Sequence, residues 1–217
     1  MKNYIDLHLK PSAPEKVQEM LTLASELGFR HVASTIQAKG IDDRIAVATR
    51  LDLEARRSRD LLDALKRCRR RFDVIAVKCL TKEVARQAAK DDRVDVLKFS
   101  DDPVLRKHNW LDHHEAELIE GTGHAYEVDA SDLIANSQTH LAKVINHIKR
   151  DLAVAMKHDI PIVLSSGAST PLAIREPRAL IALASLLDIE EDYAADMIST
   201  IPEVILRRNH EKLEEER

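Results

Sequence analysis

Tyr4-Ile5-Asp6-Leu7-His8-Leu9-Lys10-Pro11-Ser12 sets the reading of the whole chain. Apolar and polar residues alternate through it with the period of two of a β-strand, which predicts that Asp6, His8 and Lys10 share one side. Pro11 has no N–H to give to a ladder, so the strand stops there. Pro14 then opens a helix with Val17, Met20, Leu21, Ala24 and Leu27 as its apolar stripe, and Gly28 closes it as a C-cap. Such a strand, ending in ionisable residues and followed at once by a helix, begins an alternating β/α chain. Folds of that kind place their chemistry at the C-terminal ends of the strands.

The alternation continues. His31–Thr35 reads as a second strand. Asp42–Arg50 reads as a short helix and Arg50–Leu53 as a third strand. Ser58 caps a helix with Leu61, Leu62, Leu65 and Cys68 on its inner face. Asp73–Cys79 is a near-continuous apolar run, the pattern of a parallel strand covered on both faces. Thr81 caps the next helix, Val94–Phe99 and Ala125–Val128 are further strands, and Asp101–Gly121 between them reads as helical. Leu141, Val144, Ile145, Ile148, Leu152 and Met156 trace the longest amphipathic helix, and Pro161–Ser165 is the last strand. Three helices follow, over 177–187, 191–199 and 202–209. About seven strands joined by helices lead either to a barrel or to an open doubly wound sheet. No glycine-rich phosphate loop is present, and with only 5 glycines the barrel is the better reading.

At 217 residues the expectation is one barrel domain over 1–217, with 209–217 a charged C-terminal tail. Aromatic residues are 3 % of the chain, too few for a base-stacking platform. Net charge is −4, from 33 Lys+Arg against 37 Asp+Glu, whereas a free-standing nucleic-acid binder usually reads basic. Cys68 and Cys79 have neither metal nor redox spacing and read as reduced thiols. No apolar leader and no membrane-length apolar run occurs, so the expected location is the cytoplasm.

Strand ends bring a polar rim together: His8 and Lys10, Lys78, Lys98, Glu127, Asp129, Ser165 and Ser166. Lysines and serines on one rim suit phosphate oxygens. Asp6 and His8 have the spacing of a two-ligand metal strand, but later strands offer Lys78 and Lys98 where further ligands would be needed. The metal reading is therefore disfavoured. Ser165 and Ser166 lack an evident histidine and carboxylate to make either a nucleophile. His108, His113 and His114 read as helix surface, because neighbours on a helix point about 100° apart. Lys66, Arg67, Arg69, Arg70 and Arg71, at the end of a helix, read alone as a solvated face stabilised by the helix dipole.

Four stretches, in this order and separation, resemble a known family. They are Tyr4–His8; Ser58–Leu65 running on through Arg69-Arg70-Arg71 to Val77; Ile162–Ala168 with Arg175-Glu176-Pro177-Arg178; and Ile201–Asn209. The chain resembles the ribonuclease P protein component 3 family, the thirty-kilodalton protein subunit of archaeal and eukaryotic ribonuclease P. The resemblance implies a TIM-barrel-like barrel related to the polymerase-and-histidinol-phosphatase metallohydrolases, with most metal ligands lost. It implies no catalytic residue and no metal or cofactor on this chain. An RNA subunit with bound Mg2+ performs the endonucleolytic removal of the 5′ leader from precursor tRNA, producing a 5′-phosphomonoester. The implied partners are ribonuclease P RNA, a smaller protein subunit with other protein subunits, and precursor tRNA through the holoenzyme, with no membrane. Under this reading Lys66, Arg67, Arg69, Arg70, Arg71, Lys78, Lys98, Arg175 and Arg178 become candidate RNA contacts. Asp6, His8, Lys10, Ser165 and Ser166 become a vestigial site. Two rival readings are a metal-dependent hydrolase using Asp6 and His8, and a metabolic enzyme with a phosphate-binding rim.

Overall fold

Seven parallel strands pair in sequence order, β1 (Tyr4–Leu9), β2 (Phe29–Ser34), β3 (Ala46–Ala55), β4 (Val74–Cys79), β5 (Val96–Phe99), β6 (Ala125–Asp129) and β7 (Ile162–Ser165). The coordinates are a computed structural model describing residues 2–38, 44–68, 71–100, 102–134 and 138–215. Outside the sheet lie α1 (Val17–Glu26), α2 (Ser58–Cys68), α3 (Lys82–Ala89), α4 (Pro103–Arg106), α5 (His113–Ile119), α6 (Ala130–Ile134), α7 (Gln138–Lys157), α8 (Pro177–Ala184), α9 (Glu191–Met197) and α10 (Thr200–Glu215). α1 to α7 lie on the connections that carry the chain back to start the next parallel strand, as right-handed β/α units require, and α8 to α10 follow β7. The sheet curls into a nearly closed barrel. Its seam, between β1 and β7, is joined by the Leu9–Ala168 bridge and by the Lys10 and Ser12 N–H groups donating to the carbonyls of Ala168 and Ser169.

The main apolar layer lies between strands and helices, where Met20, Leu21, Leu61, Leu65, Leu97 and Leu152 are fully or almost fully buried. A second, smaller layer fills the lower barrel with Ile5, Leu7, Val74, Val96 and Val163. Four of its members are alanines: Ala33, Ala48, Ala76 and Ala125. These small side chains leave width for a large polar group above them. Ile205 and Leu206 of α10 pack into the lower end and stopper it.

Most expected elements are present, and the departures have physical causes. The stretch read as a helix over 42–50 is strand from Ala46 onward, because Ala46–Thr49 pair with His31–Ser34 of β2. The remainder of that reading, through residue 43, lies outside the described residues. The helix expected over 101–121 divides into α4 and α5, since Asp112 starts a new helix by a capping box with Glu115. Ser58 is not a cap: it lies inside α2, and its hydroxyl donates to Glu83 at 2.5 Å. Residues 209–217 are not a tail as far as they are described. α10 continues to Glu215, and Asn209 is buried with its amide donating to the Asp73 carbonyl at 2.8 Å.

β1 also departs from simple alternation. Asp6 pairs with Val32 and Leu9 with Ser34, so three steps along β1 match two along β2, and one extra residue bulges. The bulge separates Asp6 from His8. Asp6 turns to the seam, where its Oδ1 accepts the N–H of His8 at 3.1 Å and of Ser166 at 3.0 Å. Burial drives its pKa upward against these bonds, and Oδ2 has no partner. Asp6→Asn keeps the acceptor and removes a buried charge, so it is expected to be as stable as wild type. Asp6→Ala is expected to lose about 1–3 kcal/mol in denaturant unfolding. Equal losses for both variants would contradict a seam held by this oxygen.

Candidate functional site: a self-neutralised barrel mouth

The group above the alanines is Arg50. Its side chain is 1 % exposed, and it lies on β3 inside the barrel. Nη1 and Nη2 reach the two carboxylate oxygens of Glu127 at 2.8 and 2.5 Å, the planar fork of a bidentate pair. Nη1 also donates to the Leu7 carbonyl at 2.6 Å, and Nε donates to Asp52 at 2.8 Å. Burial works against the guanidinium charge, but Glu127 and Asp52 outweigh it and raise the pKa further. Ser165 completes this layer by donating its hydroxyl to Glu127 at 2.7 Å.

Above it, His8 joins two carboxylates. Nδ1 lies 2.8 Å from Asp129 Oδ1, and Nε2 lies 2.8 Å from Asp52 Oδ2. Burial and the charge of Arg50 push its pKa down, but Asp129 and Asp52 prevail and raise it to about 9. At neutral pH His8 is an imidazolium donating from both nitrogens. Asp129 also holds the Lys98 ammonium, which pairs with Asp132 at 2.9 Å. Its carboxyl stays well below the usual carboxylate range: burial opposes ionisation, and His8 and Lys98 overcome it. At the opening, Lys78 pairs with Glu54 at 3.1 Å, and Lys10 lies 4.0 Å from Asp129. A cavity of about 130 Å³ remains between these groups.

Ligand atoms of His8, Glu127 and Asp129 lie within 4.8 Å of one another, a spacing that suits a divalent ion. The charges do not suit one. A guanidinium, an imidazolium and an ammonium already neutralise Asp52, Glu127 and Asp129, and protonated His8 has no lone pair to donate. A metal ion would have to expel cations that are themselves hydrogen-bonded and buried. The residues present do not fit it. Among the described residues the mouth shows no nucleophile beside a free base, since Ser165 faces a carboxylate held by Arg50 and His8 is paired with two carboxylates.

A model of the family described as RNase P subunit p30 matches residues 3–214. The chain belongs to that family. Among its relatives, the Ribonuclease P protein component 3 of Methanosarcina acetivorans is 26 % identical over 212 residues, which cover 94 % of this chain and 87 % of the relative. That of Methanococcoides burtonii is 26 % identical over 217 residues, covering 96 % and 88 %. The RNase P subunit p30 fold is also found in solved structures. A chain in the cryo-EM structure of archaeal ribonuclease P with mature tRNA aligns with a TM-score of 0.78 at 22 % identity, covering 94 % of this chain and 90 % of that one. The histidinol phosphate phosphatase of Lactococcus lactis, complexed with zinc, L-histidinol and phosphate, aligns at 0.54 with 10 % identity, covering 86 % and 93 %. The barrel architecture is thus common to this family and to metallohydrolases.

The structure divides the sequence-derived candidates between opposite ends of the barrel. His8, Lys10, Lys78, Lys98, Ser165 and Ser166 are at the C-terminal mouth, and Arg175 and Arg178 follow β7 on the same side. Lys66, Arg67 and Arg71 lie where α2 returns to start β4, at the N-terminal end, and all three are exposed. Arg69 and Arg70 lie outside the described residues. The candidates therefore lie at opposite ends of the barrel. Lys98 is 12 % exposed and pairs with Asp129 and Asp132, so it serves as a counter-ion inside the mouth. Arg175 braces its own loop by donating to the Leu172 and Ile174 carbonyls. His113 Nδ1 meets His158 Nε2 at 3.0 Å on an exposed surface.

The sequence reading missed Arg50 and Asp52, the two residues that join the layers. Their signal was present as Arg50-Leu51-Asp52-Leu53-Glu54, a strict alternation of charge and leucine.

Proposed function

We propose that this chain is a non-catalytic protein subunit of ribonuclease P and supports RNA-catalysed removal of the 5′ leader from precursor tRNA. The observation that carries this reading is membership of the RNase P subunit p30 family over residues 3–214, in relatives named Ribonuclease P protein component 3. The mouth's self-neutralised charges support the non-catalytic part. The chain acts as a single barrel domain without a cofactor of its own, and Mg2+ is supplied on the RNA subunit. Its place is the cytoplasm, which accords with two free cysteines. Among the described residues no helix is long and apolar enough to cross a membrane.

The two ends of the barrel suit two classes of partner. Lys66, Arg67 and Arg71 are exposed at the N-terminal end and screen RNA phosphates. At the other end, Val104, Ile134 and Leu172 are 68, 43 and 90 % exposed, after β5, β6 and β7. Apolar residues gathered there fit the smaller protein subunit better than RNA. Lys66→Gln/Arg67→Gln/Arg71→Gln is expected to slow precursor-tRNA cleavage by the reconstituted holoenzyme about tenfold or more at moderate salt, with low salt restoring most of the rate. Unchanged rates across the salt series would remove this cluster from the RNA-facing surface.

A further inference from the structure

On the outer flank of the barrel α5 packs against α7. There His113 Nδ1 meets His158 Nε2 at 3.0 Å, with the two rings tilted by 49°. We propose that His113, His158 and Glu117 hold one divalent transition-metal ion of the zinc class, which ties α5 to the end of α7. The site is separate from the mouth, where His8 is held between two carboxylates.

His113 and His114 cannot share an ion, because neighbours on a helix point about 100° apart. The fold brings the second imidazole from 45 residues along the chain. Two nitrogens bound to one tetrahedral ion, each about 2.0–2.1 Å from it, lie about 3.3 Å apart. The histidine pair already stands within about 0.3 Å of that spacing.

Both main chains are fixed. Asp112 caps α5 through the N–H groups of His114 and Glu115, which sets the first residue of the helix, His113. Beyond α7, Asp159 takes φ +52°. Its N–H donates to the Met156 carbonyl at 3.3 Å, and that of Ile160 donates to the Ala155 carbonyl at 2.9 Å. This is a Schellman closure, and it holds His158 in place. Side-chain adjustment is then all that an arriving ion requires.

The third ligand follows from helical spacing. Glu117 lies four residues after His113, so the two side chains are neighbours on one face of α5. Glu117 is exposed, and among the described residues it makes no hydrogen bond or ion pair that would hold it elsewhere. Glu120 and Asp159, also exposed, line the adjoining cleft of about 290 Å³ together with His158. Against these acids the flanking cation of α7 is Lys157.

Ligand class follows from the donors. Neutral imidazole gives a lone pair and suits Zn2+, Ni2+ or Cu2+, whereas Mg2+ takes oxygen ligands. Two imidazoles and one carboxylate leave a fourth position to water. His113 is exposed and His158 half-buried, so an ion reaches the pair without opening the fold.

The test uses the full chain, stripped of metal with a chelator and titrated calorimetrically with Zn2+, with and without excess Mg2+. The expected result is one Zn2+ per chain at an affinity that Mg2+ does not alter. His113→Ala and His158→Ala should each weaken Zn2+ binding at least about tenfold, since even the loss of a group that only orients a ligand costs that much. Glu117→Gln should weaken it in the same direction, and His114→Ala should leave it unchanged. Circular dichroism checks that each variant is folded. Zn2+ should also raise the unfolding temperature of the wild type and not of His113→Ala. Absence of Zn2+ binding by the wild type overturns the proposal, as does binding that is equally strong in the two histidine variants. Unchanged affinity in Glu117→Gln overturns the ligand set. Binding lost in His8→Gln but kept in His113→Ala would put the ion at the mouth, which also overturns it.

Discussion

Arg50→Met is expected to destabilise the protein by about 3–5 kcal/mol, the largest loss of any substitution at the mouth. Methionine fills much of the same space, so packing contributes little to the loss. The cost comes from Glu127 and Asp52, which would be left ionised and inside the barrel without their counter-ion. The double variant Arg50→Met/Glu127→Leu is therefore expected to recover part of the stability that Arg50→Met loses, because it removes one stranded charge. Chemical denaturation of the wild type, Arg50→Met, Glu127→Leu and the double variant gives the coupling directly. Additive losses would mean that the pair is not the unit described here.

The same network sets a pH dependence. The folded pKa of His8, about 9, is raised above the ordinary 6.5. The stability contributed by its charge is therefore whole below pH 6.5 and is lost as pH rises through about 9. Its full extent is about 3 kcal/mol. Unfolding measured between pH 6 and 10 should show this decline in the wild type and a flatter profile in His8→Gln. A wild-type profile as flat as the variant's would mean that His8 is not held as an imidazolium.

Gly167→Ala is expected to cost at least about 2–4 kcal/mol and to disturb the mouth itself. Gly167 has φ +61°, and an added Cβ would lie 2.4 Å from Ser131 Oγ and 2.8 Å from Asp129 Cγ. The serine hydroxyl can rotate away. Asp129 cannot, because His8 and Lys98 hold its carboxylate. Gly28→Ala is the control: its φ is +100° but nothing lies within 4 Å of the added atom. It should lose only the backbone strain, about 1–2 kcal/mol. Similar losses for the two variants would mean that the close approach to Asp129 is unimportant.

These residues also show what the sequence made legible. The apolar run of β4, the stripe of α1 and the long period of α7 are strong local patterns, and each appears where they place it. The strand order followed from the alternation and the handedness of β/α crossovers. The mouth was harder to read. Its members lie on six strands, and a charge on a short strand shows no sign of which carboxylate faces it. The bulge in β1 was invisible as well, because Tyr4–Lys10 alternates as a flat strand would. Asp6 was thereby placed beside His8 when it actually closes the seam. Lys98 looked like a rim cation, since spacing places it at a strand end but does not reveal the two aspartates holding it. The ends of the barrel were likewise confounded: a basic helix end and a basic strand end look alike in sequence, yet chain direction puts them on opposite faces.

The central claim is that this barrel supports an RNA catalyst and performs no hydrolysis of its own. Its most direct test is cleavage of precursor tRNA by the purified chain with Mg2+, Mn2+ or Zn2+, beside ribonuclease P RNA and the other protein subunits with and without the chain. The account predicts no cleavage by the chain under any metal, and faster leader removal when it joins the RNA-containing assembly. Metal-dependent cleavage by the chain alone, abolished in His8→Gln, would contradict it.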